Sequence, residues 1–150
     1  MRPFDSLTLM QFCWAFLAIL GFSLRSNLRG MRVFFTALGG AVCWASYLII
    51  HYYSKSMLLS VFLAIILVCI YSEVVARLLN TPVSVFVICV IIPLVPGRSL
   101  YYAMSAYISG KSAQASGLIF DTLMISGTIA IAIAIVASAT QLWIKKIQRK

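Results

Sequence analysis

The sequence predicts an all-α integral membrane protein with about five transmembrane helices, the fourth of them broken by proline and glycine. Composition is the first reason. Of 150 residues 63% are apolar, and the mean hydropathy is +1.03. The second is where the charges fall. Twelve Lys and Arg and three Asp and Glu lie mostly between apolar runs. A spanning helix takes about 20 apolar residues, so the chain holds four or five spans as a single membrane domain, with no room for a soluble catalytic domain. The third is the run PVSVFVICVIIPLVPG, which begins at Pro82 and ends on Pro93, Pro96 and Gly97. Proline lacks a backbone N–H and clashes with the preceding turn, and glycine opens backbone angles closed to other residues. The helix therefore stops at membrane depth or at the interface. Broken backbone at depth is tolerated only where protein buries it or where it lines a wet cavity, and transporters place ligands at such breaks.

The spans follow in order. The first is about Leu7–Leu24, too long for a signal-peptide core and with no small-x-small cleavage site after it, so it is expected to be retained. A linker with Arg25, Arg29, Gly30 and Arg32 leads to the second span, about Val33–Ile50. The third is about Met57–Leu79 and the fourth about 82–96. Residues 98–109 are half-polar and suit a short helix, and Gly110–Ser116 reads as a turn. The fifth span is about 117–144. Inside it Ile129–Ile135 alternates like a strand, but a lone strand cannot satisfy its backbone in lipid, which argues for helix.

The net charge of +9 would suggest nucleic acid in a soluble protein. Here the bases sit at span ends without interleaved aromatics. They read as topology signals and contacts to anionic lipid in the bilayer, and no nucleic-acid partner is expected. Five spans place Arg25, Arg29, Arg32, Arg77, Lys145, Lys146, Arg149 and Lys150 on one side and Arg2, Lys55, Arg98 and Lys111 on the other. The excess on the first side predicts a cytoplasmic C-terminus, with Trp143 as an interface anchor. Cys13, Cys43, Cys69 and Cys89 lie in separate apolar runs without CxxC spacing and read as small buried hydrophobes. With His51 as the single histidine, neither a metal nor another cofactor is expected, and His51 beside Tyr52 and Tyr53 reads as interfacial. Ala37, Ala41 and Ala45, next to Gly40, form one small-residue stripe. Thr122, Ser126, Ala130, Ala134 and Ser138 form another. Such stripes mark helix–helix packing, within the chain or in a homo-oligomer or other complex.

The residues Glu73, Ala76, Arg77, Asn80, Thr81 and Pro82, then Pro93-Leu-Val-Pro96-Gly97 and Tyr101-Tyr102, resemble the threonine/serine exporter family. More narrowly, they resemble the small membrane subunit of its two-subunit form. Span order, the Arg-rich linker and the Gly39-Gly40 pair extend the resemblance over nearly the whole chain. It implies a bacterial cell-membrane protein that exports small carboxylates: threonine and serine, or dicarboxylates such as succinate. It also implies a larger exporter subunit with a soluble domain as partner, and coupling to an ion gradient, in keeping with the lack of a P-loop. Arg98 departs from the small or aliphatic residue expected after the Pro-Gly, which bears on substrate specificity.

The candidate substrate site comprises Pro93, Pro96, Gly97, Arg98, Tyr101 and Tyr102. Amides that begin a helix after Gly97 attract a carboxylate, and Arg98 either adds a bidentate contact or anchors the helix at the surface. Tyr101, Tyr102 and Tyr107 offer hydroxyls or act as interfacial aromatics. Asp121 is either an interfacial acid or an intramembrane coupling site, with Arg98 or Arg77 to offset its cost. Glu73 and Arg77, four apart, form a helix-stabilising pair or a gate. Three acids, one histidine and scattered cysteines make no catalytic set, so an enzyme is not expected. The alternative to an exporter subunit with its own site is a structural subunit that packs against the larger partner.

Overall fold

The computed structural model describes residues 6–148, with side-chain surroundings for residues 7–142. Arg2, Arg149 and Lys150 lie outside the described residues, as do the side chains of Trp143, Lys145 and Lys146. The chain forms α1 (Ser6–Arg25), α2 (Met31–Ser54), α3 (Met57–Leu78), α4 (Val83–Val90), a 3-10 turn (Ile92–Leu94), α5 (Gly97–Ile108) and α6 (Ser112–Gln148), and the described residues contain no strand. Four helices are long and apolar enough to cross a membrane, and residues Val83–Leu94 with Gly97–Ile108 form a fifth candidate span bent by 55°.

Two boundaries differ from the sequence reading. The stretch 82–96 does not make a crossing alone: α4 with its 3-10 turn covers only Val83–Leu94, short of the about 20 residues a span takes, and reaches spanning length only together with α5. Helix α6 begins at Ser112 rather than 117, because the polar segment after Gly110 extends the helix instead of forming a longer turn.

Helices α1, α3 and α5 end in one way. Asn27, Asn80 and Gly110 adopt positive φ (59°, 46° and 73°). The next amide then reaches back to a carbonyl five residues earlier: Leu28 to Ser23, Thr81 to Ala76, Lys111 to Ala106. This satisfies carbonyls that the helix end would otherwise orphan.

Helix α3 is the hub and packs on α2, α4 and α6, while α2 also carries α1. The core includes Cys43, Ile65, Val68, Cys69, Val90 and Leu94. Cys43, Cys69 and Cys89 are buried as expected; Cys13 faces outward from α1. Gly39 and Gly40 make the crossings close. A Cβ on Gly40 would stand 2.4 Å from Ile19 Cγ1 of α1, and one on Gly39 would stand 2.7 Å from Tyr71 Cε1 of α3 and 3.1 Å from Val90 Cγ2 of α4. Two polar ties support these contacts, since Tyr71 Oη donates to the Phe35 carbonyl at 2.8 Å and Trp44 Nε1 donates to Gln11 Oε1 at 3.3 Å.

The stripe on α2 is packed, with Ala37 and Ala41 fully buried. The one on α6 is not: Ser126, Ala130, Ala134 and Ser138 are exposed, and α6 meets the core through Ile125, Ile129, Ala132 and Val136. Larger side chains fill the α3–α6 seam, which leaves the small stripe outside this chain's own packing.

Replacing Gly40 by alanine should destabilise the detergent-solubilised protein by about 1–3 kcal/mol, the usual cost of overpacking, because Ile19 is fully buried and has nowhere to move. Gly127→Ala, with nothing within 4 Å, should leave the thermal transition where it is.

Candidate functional site

Taken as one crossing, the bent pair puts the α4 side of the break at membrane depth. The turn joining α3 to α4 spans only residues 79–82, so α4 starts level with the end of α3. At about 1.5 Å per residue, Ile91 lies about 12 Å from that end, well inside a hydrocarbon core of about 30 Å, while the α5–α6 and α3–α6 registers put Arg98 farther out, toward the level of the start of α3. Contact of Val90 with the Gly39–Tyr71 crossing fixes the depth of the α4 side.

Proline chemistry sets the local geometry. Pro93 cannot donate to Cys89, and the Leu94 amide donates to Ile91 at 2.9 Å instead of to Val90. The carbonyls of Cys89 and Val90 therefore receive no backbone hydrogen bond among the described residues. Val95 is extended (ψ 128°), and Pro96 caps α5 while accepting from Leu100 at 3.2 Å. The amides of Arg98 and Ser99 have no backbone acceptor either. Two half-helices thus present opposite ends across a few residues: free carbonyls with partial negative charge on α4, free amides with partial positive charge on α5.

Gly97 does not use the backbone freedom expected of it. It starts α5 without a positive φ, and a Cβ there would meet nothing within 4 Å. Its contribution is the bare, exposed backbone beside the free amides.

Of the predicted residues, Pro93, Pro96, Gly97, Arg98, Tyr101 and Tyr102 stand together at the break and on the first turns of α5. The Arg98 guanidinium lies over the Tyr102 ring, 5.5 Å from its centroid, and Tyr101 meets Tyr102 edge to face at 5.6 Å. All three side chains are exposed. The α5–α6 hairpin is antiparallel about a turn at Gly110, a register that puts Asp121 level with Arg98. They form no ion pair; the one pair among the described residues is Arg77 to Glu73, at 3.3 Å. Glu73 and Arg77 lie toward the C-terminal end of α3, away from Arg98 and the tyrosines of α5.

The sequence reading missed three features. A groove of about 640 Å³ opens between α3 and α6, with Ile70, Glu73, Arg77, Ile135 and Thr140 among its lining. The Ser72 hydroxyl, fully buried, has no hydrogen-bond partner among the described residues, whereas Ser23, Thr36 and Ser60 each return to a carbonyl four residues back. Ser72 lies between Cys69 and Ala76, which cluster with Val90 and Phe86 of α4, so it faces the helix that breaks. The third is a polar hollow between α5 and α6; the spacing of Tyr102, Ser105 and Ser109 along one helix face was its signal.

A family model described as "Threonine/Serine exporter, ThrE" matches residues 11–139. No curated protein and no solved structure matches the chain.

Replacing both prolines restores the missing donors. In Pro93→Ala/Pro96→Ala, the distance between spin labels at Ser84 and Tyr107, both exposed, should lengthen by several ångströms as the 55° bend relaxes. An unchanged distance would mean that tertiary packing, not proline, holds the bend.

Proposed function

The chain belongs to the threonine/serine exporter family, and on that premise we propose that it is the small subunit of a secondary-active exporter that forms a substrate site at its broken fourth span. The observation that carries this reading is the pair of opposed half-helix ends at the break in the bent span. An amino acid zwitterion carries both charges that such a break attracts. Its carboxylate would meet the Arg98 and Ser99 amides with the Arg98 guanidinium, and its ammonium the free Cys89 and Val90 carbonyls once a change of the bend uncovers them, since both residues are buried in this conformation. A dicarboxylate such as succinate matches only the amide end, so threonine and serine are the favoured substrates.

The partner is a larger membrane subunit with a soluble domain, and an ion gradient drives the cycle. Asp121, level with Arg98 across the hairpin, is the proposed coupling residue, and Glu73 with Arg77 the proposed gate of the groove at the other end of α3. The arginine linker between α1 and α2 faces the cytoplasm under the positive-inside rule, which puts the α5–α6 turn outside. The bent span works as a hinge: the bend at Pro93–Gly97 can change without breaking a continuous hydrogen-bond ladder.

A second reading has its own support. The exposed stripe Ser126, Ala130, Ala134 and Ser138 of α6 permits close helix approach. If it docks the larger subunit and that subunit holds the whole site, this chain is an assembly subunit.

Efflux of radiolabelled threonine, serine and succinate from cells expressing the chain with and without its larger partner separates the readings. Export of the amino acids with the partner present should fall about tenfold or more in Arg98→Ala, the loss of one charge-assisted contact of ~1.5–3 kcal/mol. Normal export in assembled Arg98→Ala and Asp121→Asn complexes would favour the assembly reading.

A further inference from the structure

The hairpin of α5 and α6 reaches beyond the rest of the bundle. The α3–α6 groove pairs residues 70–78 with residues 135–140, so the two helices run parallel and the start of α3 is level with about residue 121. Residues 112–120 of α6 therefore project past α3 by about 13 Å at 1.5 Å per residue, together with the part of α5 packed on them through Ala103 and Ala106. The projection lies on the face opposite the arginine linker.

In that projection an open hollow of about 270 Å³ lies between the two helices, room for roughly nine waters at ~30 Å³ each. Its floor is Ala106, buried, and Leu118, half-buried; its rim is Tyr102, Ser105, Ser109, Lys111 and Gln114. The rim is chemically free. Lys111 has no carboxylate within ion-pair distance among the described residues. The Ser109 hydroxyl donates to the Ser105 carbonyl at 2.8 Å, which leaves its oxygen as an acceptor. Such a concentration of uncommitted polar groups is unusual in a chain that is 63% apolar.

We propose that this hollow is a second binding site for a small α-amino acid, next to the break, with which it shares Tyr102, and nearer the aqueous phase. The carboxylate sits against the Lys111 ammonium, and the amino group against the Ser105 and Ser109 oxygens and the Gln114 carbonyl oxygen. The volume suits a free amino acid with a few waters, and the mixed rim of one cation and several acceptors suits a zwitterion better than a bare anion. The site rests on the export reading only for the identity of its ligand: exported amino acid would pass it on leaving the break.

Lys111 acylation by an amine-reactive reagent reports occupancy directly. The purified protein in phosphatidylcholine nanodiscs would be labelled with and without L-threonine and analysed by peptide mass spectrometry, with Lys55, outside the hollow, as the internal reference. L-threonine should slow labelling of Lys111 severalfold relative to Lys55, and threoninol, which lacks the carboxylate, should not. Ser105→Ala/Gln114→Ala should abolish the protection, while Arg98→Ala, a residue of the break, should leave it intact. No protection by threonine would overturn the proposal. So would protection that disappears in Arg98→Ala, or protection given by phosphatidylglycerol in place of threonine, since the occupant would then be a lipid headgroup. Loss of export in Arg98→Ala with Lys111 protection retained would support both sites; retained protection without any export would separate this site from the transport reading.

Discussion

A helix that loses two backbone donors inside a bilayer finds no lipid group to replace them, and everything else in this structure adapts to that constraint. Pro93 leaves the Cys89 carbonyl without a donor, and the 3-10 turn diverts the Leu94 amide from Val90. In lipid each unsatisfied group would cost several kcal/mol. The scaffold keeps the break out of lipid on its α4 side, where Cys89 and Val90 are almost fully buried. On the α5 side, Gly97 and Arg98 are exposed. One end of the break is thus held rigidly in protein, and the other is left open.

Rigidity on the buried side comes from backbone proximity. Gly39 admits Tyr71 and Val90 on one side of α2, and Gly40 admits Ile19 on the other, so α1, α3 and α4 are all registered against a two-residue stretch. Tyr71 adds a hydrogen bond to the Phe35 carbonyl, one turn before Gly39. The open side is held differently. Helix α5 packs on α6 through alanines, and α6 meets the bundle along a single narrow seam. A unit joined to the core by a proline break and one seam can swing more readily than the α1–α4 unit. Movement of that kind is what alternating access at a broken helix requires.

Much of this was legible in the residues. Apolar runs of spanning length gave the helices, and PLVPG marked where the fourth would fail, because proline acts through its missing N–H whatever surrounds it. The Glu73–Arg77 pair formed as its four-residue spacing implies. Less legible were features that depend on what a helix meets. The small residues at Thr122–Ser138 mark α6 as able to pack closely, yet Ile125, Ile129 and Val136 offered more apolar area to α3, and the small stripe stayed outside. Gly97 implied a left-handed backbone that the structure does not use, since a proline at the helix cap already sets the entry to α5. The hollow at Lys111 required the register of the α5–α6 hairpin, which tertiary packing decides.

The functional reading requires the break to be open to water within the bent span. Nitroxide labels placed singly at Val95, Gly97 and Arg98 in reconstituted bilayers, with collision rates measured against oxygen and a water-soluble nickel chelate, test it directly. High nickel accessibility at these positions, alongside oxygen-dominated collisions at lipid-facing Leu67 and Ile131, is the expected result. Oxygen-dominated collisions at all three break positions would contradict it: the broken backbone would then face lipid or dry protein, with no path for a charged substrate.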